Sequence, residues 1–397
     1  MVNKFAPVTI TYISQASIFG SGASGGARVK NMVNTFKKMN CIIKLVSYSF
    51  YSETFGIESK KIGSNLETIT INIPKNLPRF FKGLTIIPAL IYSCKYARTS
   101  DIIFSDFITI LASVPALFVG RIYNKPIILD YIDKKLIDFI PNFIYGYVAK
   151  NADLMLAISL YLMDSAKNEF LCKKVLYVPN SIDTDHFKID YGSRIKIRES
   201  LGAKESEIII GYAGSLVYWE GVPILVNAIR DLIQNHSNIR LAIMGDLSYT
   251  QGLRDNIPKM IDDLGLNSYV YLITSKEYED VPKFLSAFDI LCCPKIDCEV
   301  NRAASPVKVT EYLSMGIPTI CSSVGGINEL IVDGENGFLV TPGDLESLKN
   351  KIEWILKNRD DAWMIATNGR RSAIDKFTYE KVCGILMQEI SDLLTAH

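Results

Sequence analysis

Between Ala304 and Val340 the chain reads ASPVKVTEYLSMGIPTICSSVGGINELIVDGENGFLV, an order of signals that few folds can accommodate. Ser305-Pro306 predicts a helix start, with the hydroxyl at the N-cap and the proline ring in the first turn, where its missing N–H costs nothing. Gly316 stops the helix, Pro318 to Ser322 predicts a buried strand, and Gly325-Gly326 predicts a tight loop that opens the next helix. A helix that begins at the edge of a parallel sheet presents free backbone N–H groups and the positive end of its dipole, which suits a phosphate. Val307 lies in that first turn, and Lys308 beside it adds a full charge. Glu311, three residues further on, falls on a neighbouring part of the same helix face, where it can accept hydrogen bonds from sugar hydroxyls.

A chain of 397 residues is too long for one ordinary domain and predicts two. With 48% apolar and 21% charged residues it has a globular composition, which excludes disordered and collagen-like classes. The net charge of +1 hides an asymmetry: residues 1–190 hold 22 Lys or Arg against 14 Asp or Glu, and the remainder holds 21 against 28. None of the eight cysteines forms a C-x-x-C pair, which points to a reduced, cytoplasmic setting. The amino terminus reads as a strand rather than a signal peptide. The longest apolar stretch, Phe107 to Gly120, is interrupted by polar residues and is shorter than the ~20 residues that span a bilayer.

In the amino-terminal half, the β-branched run Val8 to Ser14 leads through the loop Gly20-Ser-Gly-Ala-Ser-Gly25-Gly26-Ala27 to a helix expected over Arg28 to Met39. The spacing is not the dinucleotide G-x-G-x-x-G, so a plain flexible connection is an equal reading. From Ile73 to Ser100, the bases Lys75, Arg79, Lys82, Lys95 and Arg98 alternate with aromatic and aliphatic residues. Such an amphipathic basic helix fits an anionic membrane surface, and equally a core-packing helix with a solvated face. Asp106, Asp130 and Asp133 follow buried strands at the carboxyl edge, where ligands bind in open α/β sheets. Each is also explicable as a loop or capping carboxylate; Asp133, placed just past its strand, is the favoured candidate.

SPVKVTEYLSMGIP followed by GGINELIVDGENGFLV resembles the donor-binding segment of retaining glycosyltransferases of GT-B architecture, family four, in a sub-branch with S-P-x-K-x-x-E-Y. The resemblance continues in Asn151-Ala-Asp-Leu-Met-Leu-Ala-Ile-Ser159 and in the interdomain turn Tyr177-Val-Pro-Asn-Ser-Ile-Asp-Thr-Asp-His-Phe187. It implies an α/β chain of two Rossmann-like α/β/α domains facing a central cleft. The acceptor-side domain would span 1–190 with a crossing helix at 378–397, and the nucleotide-sugar domain 191–377.

By the same resemblance the helix at Ser305, Val307 and Lys308 receives the diphosphate and Glu311 holds the ribose. Gly25 and Gly26 bring backbone N–H groups to the donor, Gly214 and Ser215 border the leaving group, Gly245 ends a strand beside the nucleotide, and Tyr278 encloses the base. Asp133 and Lys308 are the catalytic candidates, with neither metal nor cofactor. Three departures stand out. Ala303 replaces the family's first Glu of its donor motif, and Ser215 and Glu220 stand where Arg and Lys usually face the diphosphate. The implied donor is a UDP- or GDP-linked sugar and the implied acceptor a glycan or lipid-linked saccharide in cell-surface glycan biosynthesis. A peripheral place at the inner membrane surface is a further expectation, and a nucleic-acid partner is not expected. A non-catalytic GT-B partner protein and a nucleotide-sugar epimerase of the same fold stay open as alternatives.

Overall fold

The computed structural model describes residues 7–18, 24–107, 109–134, 142–247 and 256–397. The chain divides into two compact units: residues 1–181 with 379–397, and residues 182–378.

The first unit is built on eight strands: β1 (Thr9–Ser14), β2 (Ile42–Ser52), β3 (Gly56–Ile62), β4 (Leu66–Pro74), β5 (Ile102–Asp106), β6 (Ile127–Tyr131), β7 (Leu154–Ala157) and β8 (Val175–Tyr177). They form one sheet in the order β3-β4-β2-β1-β5-β6-β7-β8, parallel apart from the β3–β4 hairpin. Every residue of β5, β6 and β7 is buried, as expected of parallel strands covered on both faces. Val29, Met32, Val33 and Phe36 of the helix Ser24–Lys38 cover one face together with Val382, Leu386, Ile390 and Leu393 of the last helix, Tyr379–Ala396. The other face is closed by Ile86–Ala97 and Ile110–Ile122, whose small inward residues Ala97, Ala112 and Ala116 pack against Ile13 and Ile103.

The second unit carries β9 (Ile208–Ala213), β10 (Ile239–Gly245), β11 (Val270–Thr274), β12 (Ile290–Cys293), β13 (Thr319–Ser322) and β14 (Phe338–Val340). Its sheet is entirely parallel in the order β11-β10-β9-β12-β13-β14. Each sheet therefore grows in both directions from its first strand, and the reversal lies between β1 and β5 in one unit and between β9 and β12 in the other. Open α/β sheets bind ligands at the carboxyl edge of this reversal.

Two local expectations are corrected. The helix expected to be capped by Ser305 spans Val307–Met315, with Pro306 in the N-cap position at φ −72°, ψ 124° and no side-chain cap. Proline excludes its predecessor from the helical region, and its own extended ψ delays the first turn by one residue. Gly25 and Gly26 lie inside the helix Ser24–Lys38 rather than in a loop before it. The basic stretch after Ile73 forms two helices, Arg79–Leu84 and Ile86–Ala97. No described helix is long and apolar enough to cross a membrane.

Candidate functional site

At the β9–β12 reversal the chain leaves β9 through Gly214, whose φ of +151° is rarely adopted by a residue with a side chain. A Cβ here would stand 2.4 Å from Lys308 Nζ and 3.1 Å from the Tyr212 hydroxyl. Gly245, at the end of β10, comes equally close: its Cβ would lie 2.5 Å from the Gly214 carbonyl oxygen. Together these glycines let the loop fold down onto the lysine.

Lys308 Nζ donates to the Tyr212 hydroxyl at 3.0 Å and to Glu220 Oε2 at 2.8 Å. The Tyr212 hydroxyl in turn donates to the Ser215 carbonyl at 2.6 Å, while the Ser215 side chain is exposed. The second oxygen of Glu220, Oε1, accepts from Lys295 Nζ at 2.8 Å. Lys295 also donates to Asn301 Oδ1 at 3.0 Å, and Asn301 Nδ2 donates to the carbonyls of Trp219 and Ile296 at 2.7 and 2.8 Å. These last two bonds fix the amide orientation, so that its oxygen must face Lys295. Burial pushes the Glu220 carboxyl up, but Lys308 and Lys295 pull harder and bring it down to about 2. Burial likewise works against the Lys308 ammonium, yet Tyr212 and Glu220 hold it well above the ordinary lysine value.

One turn along the same helix, Glu311 behaves differently. Burial raises its carboxyl to about 7, against the opposing pull of Lys308 and a hydrogen bond from Tyr278. Tyr278 opens a short turn and packs its ring 5.4 Å from that of Phe187. Behind the helix start, Gly325 at φ +54° would place a Cβ only 2.2 Å from the Asn301 carbonyl. Its neighbour Gly326 donates its N–H to the Ala304 carbonyl at 3.0 Å. This glycine pair holds the backbone on which Ser305, buried, leads into Val307. Ala303 is wholly enclosed in the core, so no side chain reaches out from the position where the resembled family carries its first Glu.

Of the residues singled out in the sequence, the second unit thus gathers Gly214, Ser215, Gly245, Ser305, Val307, Lys308, Glu311 and Tyr278 around one sheet edge. Gly25, Gly26 and Asp133 belong to the first unit. Asp133 stands two residues beyond β6, half-buried, and its Oδ1 accepts the Lys134 N–H at 2.9 Å. Asp106 and Asp130 are sealed in the core, where Arg28 grips Asp130 through two bonds of 2.9 Å. Sequence reasoning missed Lys295, Asn301 and Tyr212. For Lys295 a signal existed, because it directly follows the buried strand β12 and Pro294 at a carboxyl edge, the position for which Asp106 and Asp130 had been noted.

Residues 193–372 match the family model described as Glycosyl transferases group 1. Among curated proteins, the GDP-mannose-dependent alpha-(1-6)-phosphatidylinositol monomannoside mannosyltransferase of Mycolicibacterium smegmatis is 24% identical over 58% of this chain and 60% of its own length. The lipopolysaccharide 1,2-N-acetylglucosaminetransferase of Salmonella typhimurium is 22% identical over 82% of this chain and 84% of its own. The chain spans 52 to 63% of the length of three of the curated relatives it matches. Among solved structures, Anabaena HepE in complex with UDP superposes with a TM-score of 0.76 at 20% identity, covering 97% of this chain and 100% of that one. The full-length likeness gives the chain the GT-B fold of two Rossmann-like domains, and residues 193–372 resemble the Glycosyl transferases group 1.

Proposed function

We propose that the chain is a retaining, metal-independent glycosyltransferase that moves a sugar from a UDP- or GDP-linked donor to a glycan or lipid-linked acceptor in cell-surface glycan assembly. The observation that carries this reading is the grouping on one short helix of a cation, an N-terminal turn without a side-chain cap and a carboxylate, at the sheet reversal. Lys308 and the first-turn N–H groups meet the diphosphate, and their attraction grows as charge develops on the leaving group. Glu311 accepts from the ribose hydroxyls, and Tyr278 borders the base. On the acceptor side Asp133, half-buried, orients the incoming hydroxyl, whereas Asp106 and Asp130 are sealed in the core. The HepE structures contain UDP and UDP-glucose, and the mycobacterial relative is named for GDP-mannose and a phosphoinositide acceptor, which favours these donor and acceptor classes.

A surface of the first unit supports a peripheral place at the inner, cytoplasmic face of a membrane. Three neighbouring helices each expose an i, i+4 pair of large apolar side chains: Ile87 with Ile91, Phe118 with Ile122, and Phe143 with Tyr147, all at least half exposed. Each helix carries a base in its last turn, Lys95, Arg121 and Lys150, and none contains an Asp or Glu. Apolar area edged with positive charge is the pattern that binds anionic lipid surfaces.

Incubation of the purified protein with UDP-, GDP- and ADP-sugars, without divalent metal and with lipid-linked or glycan acceptors, tests the reading. Transfer with the donor's anomeric configuration kept is the expected result. Acceptor-independent conversion would instead indicate an epimerase, and nucleotide binding without turnover a non-catalytic partner. Failure of all donors to bind, hydrolyse or transfer would overturn the reading.

A further inference from the structure

Taken alone, the ion pair of Lys308 with Glu220 is a poor phosphate site, because the carboxylate cancels the charge that the phosphate needs. The pair is not alone. Lys295 holds the other carboxylate oxygen, so that two ammonium groups share one carboxylate and the buried cluster retains one net positive charge. Side chains of Lys295 and Glu220 are 4% and 8% exposed and that of Lys308 is 14% exposed, so the surplus charge finds its outlet at Lys308.

We infer that Lys295, Glu220 and Lys308 form one cationic relay for the donor diphosphate, an inference that rests on the donor-site reading above. Lys308 touches the diphosphate. Glu220 is a positioning residue that fixes the direction of the Lys308 ammonium. Lys295 is a second positioning residue that balances Glu220 and leaves the Lys308 charge uncancelled. The cation that the family resemblance places at position 220 is thereby replaced from the other side of the reversal, by a lysine at the end of β12. Asn301 completes the arrangement: its amide oxygen accepts from Lys295 and its amide nitrogen ties that residue to both loops. Burial keeps the solvent from screening these charges, so the sign of the whole cluster governs its field at the mouth.

The test is calorimetric titration of the full chain with UDP, GDP and ADP, and with the corresponding monophosphates, in the absence of divalent metal. Lys295→Met leaves Glu220 free to neutralise Lys308, so diphosphate affinity should fall about tenfold, while the monophosphate, lacking the second phosphate, changes by less than about twofold. Adding Glu220→Gln to Lys295→Met removes the cancelling carboxylate, restores one net positive charge and should recover most of the lost affinity. A purely structural role for Lys295 predicts the opposite, a double variant weaker than either single one. Glu220→Gln alone provides a measurement that does not depend on the folding of Lys295→Met: it should hold or tighten diphosphate binding while lowering turnover, because charge is gained and direction lost. Wild-type affinity in Lys295→Met, no recovery in the double variant, or weakened diphosphate binding in Glu220→Gln would overturn the relay while leaving the donor site standing. Absence of nucleotide binding by the wild-type protein would overturn the donor-site reading and the relay with it.

Discussion

The reversals of the two sheets carry buried charge clusters of equal size and opposite sign. Between β1 and β5, and on neighbouring β6, two buried carboxylates, Asp106 and Asp130, stand against one guanidinium, Arg28, which pairs with Asp130 alone; between β9 and β12, two ammonium groups, Lys295 and Lys308, share one carboxylate, Glu220. They differ in what becomes of the surplus. All five Arg28 N–H groups donate, two to Asp130 and the others to the Val178 and Pro179 carbonyls and Asn180 Oδ1. Asp106, left over, takes bonds from Tyr12, Ser14 and the Gln15 N–H; even so, burial drives its carboxyl up to about 7, where a proton can quench it. In the other cluster nothing quenches the surplus, because Glu220 is drawn down to about 2 and Lys308 is held well above its ordinary value. A sealed cluster that neutralises itself belongs to the scaffold, whereas one that keeps its charge and opens at one member is equipped to meet an ion.

The comparison can be broken most directly in the sealed cluster. Arg28→Ala leaves Asp130 buried without its partner and should cost about 3–5 kcal/mol in denaturant unfolding. A loss below about 1 kcal/mol would show that water reaches this cluster and that it is not sealed. The pH dependence follows from Asp106. Its folded carboxyl, at about 7, keeps a proton that the unfolded chain releases near 4, so stability should fall as pH rises from about 4 to about 7, by at most about 4 kcal/mol, and then level off. Melts across that range should show a clearly shallower slope in Asp106→Asn, the remainder coming from Glu311, which burial raises to about 7 as well.

The open cluster predicts effects on activity rather than stability. Lys308→Ala still leaves Glu220 paired with Lys295, so unfolding should change far less than in Arg28→Ala while initial-rate turnover drops about a hundredfold. Unchanged turnover would return Lys308 to the role of a structural lysine. Glu311→Gln should weaken nucleotide binding about tenfold by titration, through loss of a charge-assisted acceptor. Since burial holds Glu311 at about 7, wild-type nucleotide affinity should also decline as pH falls below 7 and the carboxylate is lost. The Gln variant should show no such decline.

Strands such as β5, β6, β10 and β12 were legible because their apolar runs are continuous and end near glycine, proline or a carboxylate, whereas the exposed, charged β3 and the short β8, which follows the strand expected to be the last of its half, were not. Lys308 and Glu311 were legible as neighbours because three residues within one helix decide the matter. The Glu220–Lys295 pair was not, since its members lie 75 positions apart and meet only because β12 inserts beside β9. From sequence Glu220 read as a charge of the wrong sign, and only the sheet order supplies its partner. The helical start at Gly25 and Gly26 escaped for another reason. Glycine's weak local preference for helix is outweighed by burying Val29, Met32 and Phe36 further along the same helix. At Ser305 the hydroxyl and proline signals were read correctly as a helix start, but the extended backbone at Pro306 moved that start by one residue.

The last helix, Tyr379–Ala396, has a bearing on how the protein is made. It supplies Val382, Leu386, Ile390 and Leu393 to the core of a unit whose other residues are translated first. During synthesis the first unit thus emerges early but its core stays incomplete until residues 379–396 have left the ribosome. Residues 182–378 form a continuous segment with its own cores, so the half that is second in sequence can be the first to finish folding. A nascent chain that stops short of residue 379 would carry a finished second unit joined to an unfinished, adhesive first one, and such a product is a ready substrate for chaperones and proteases.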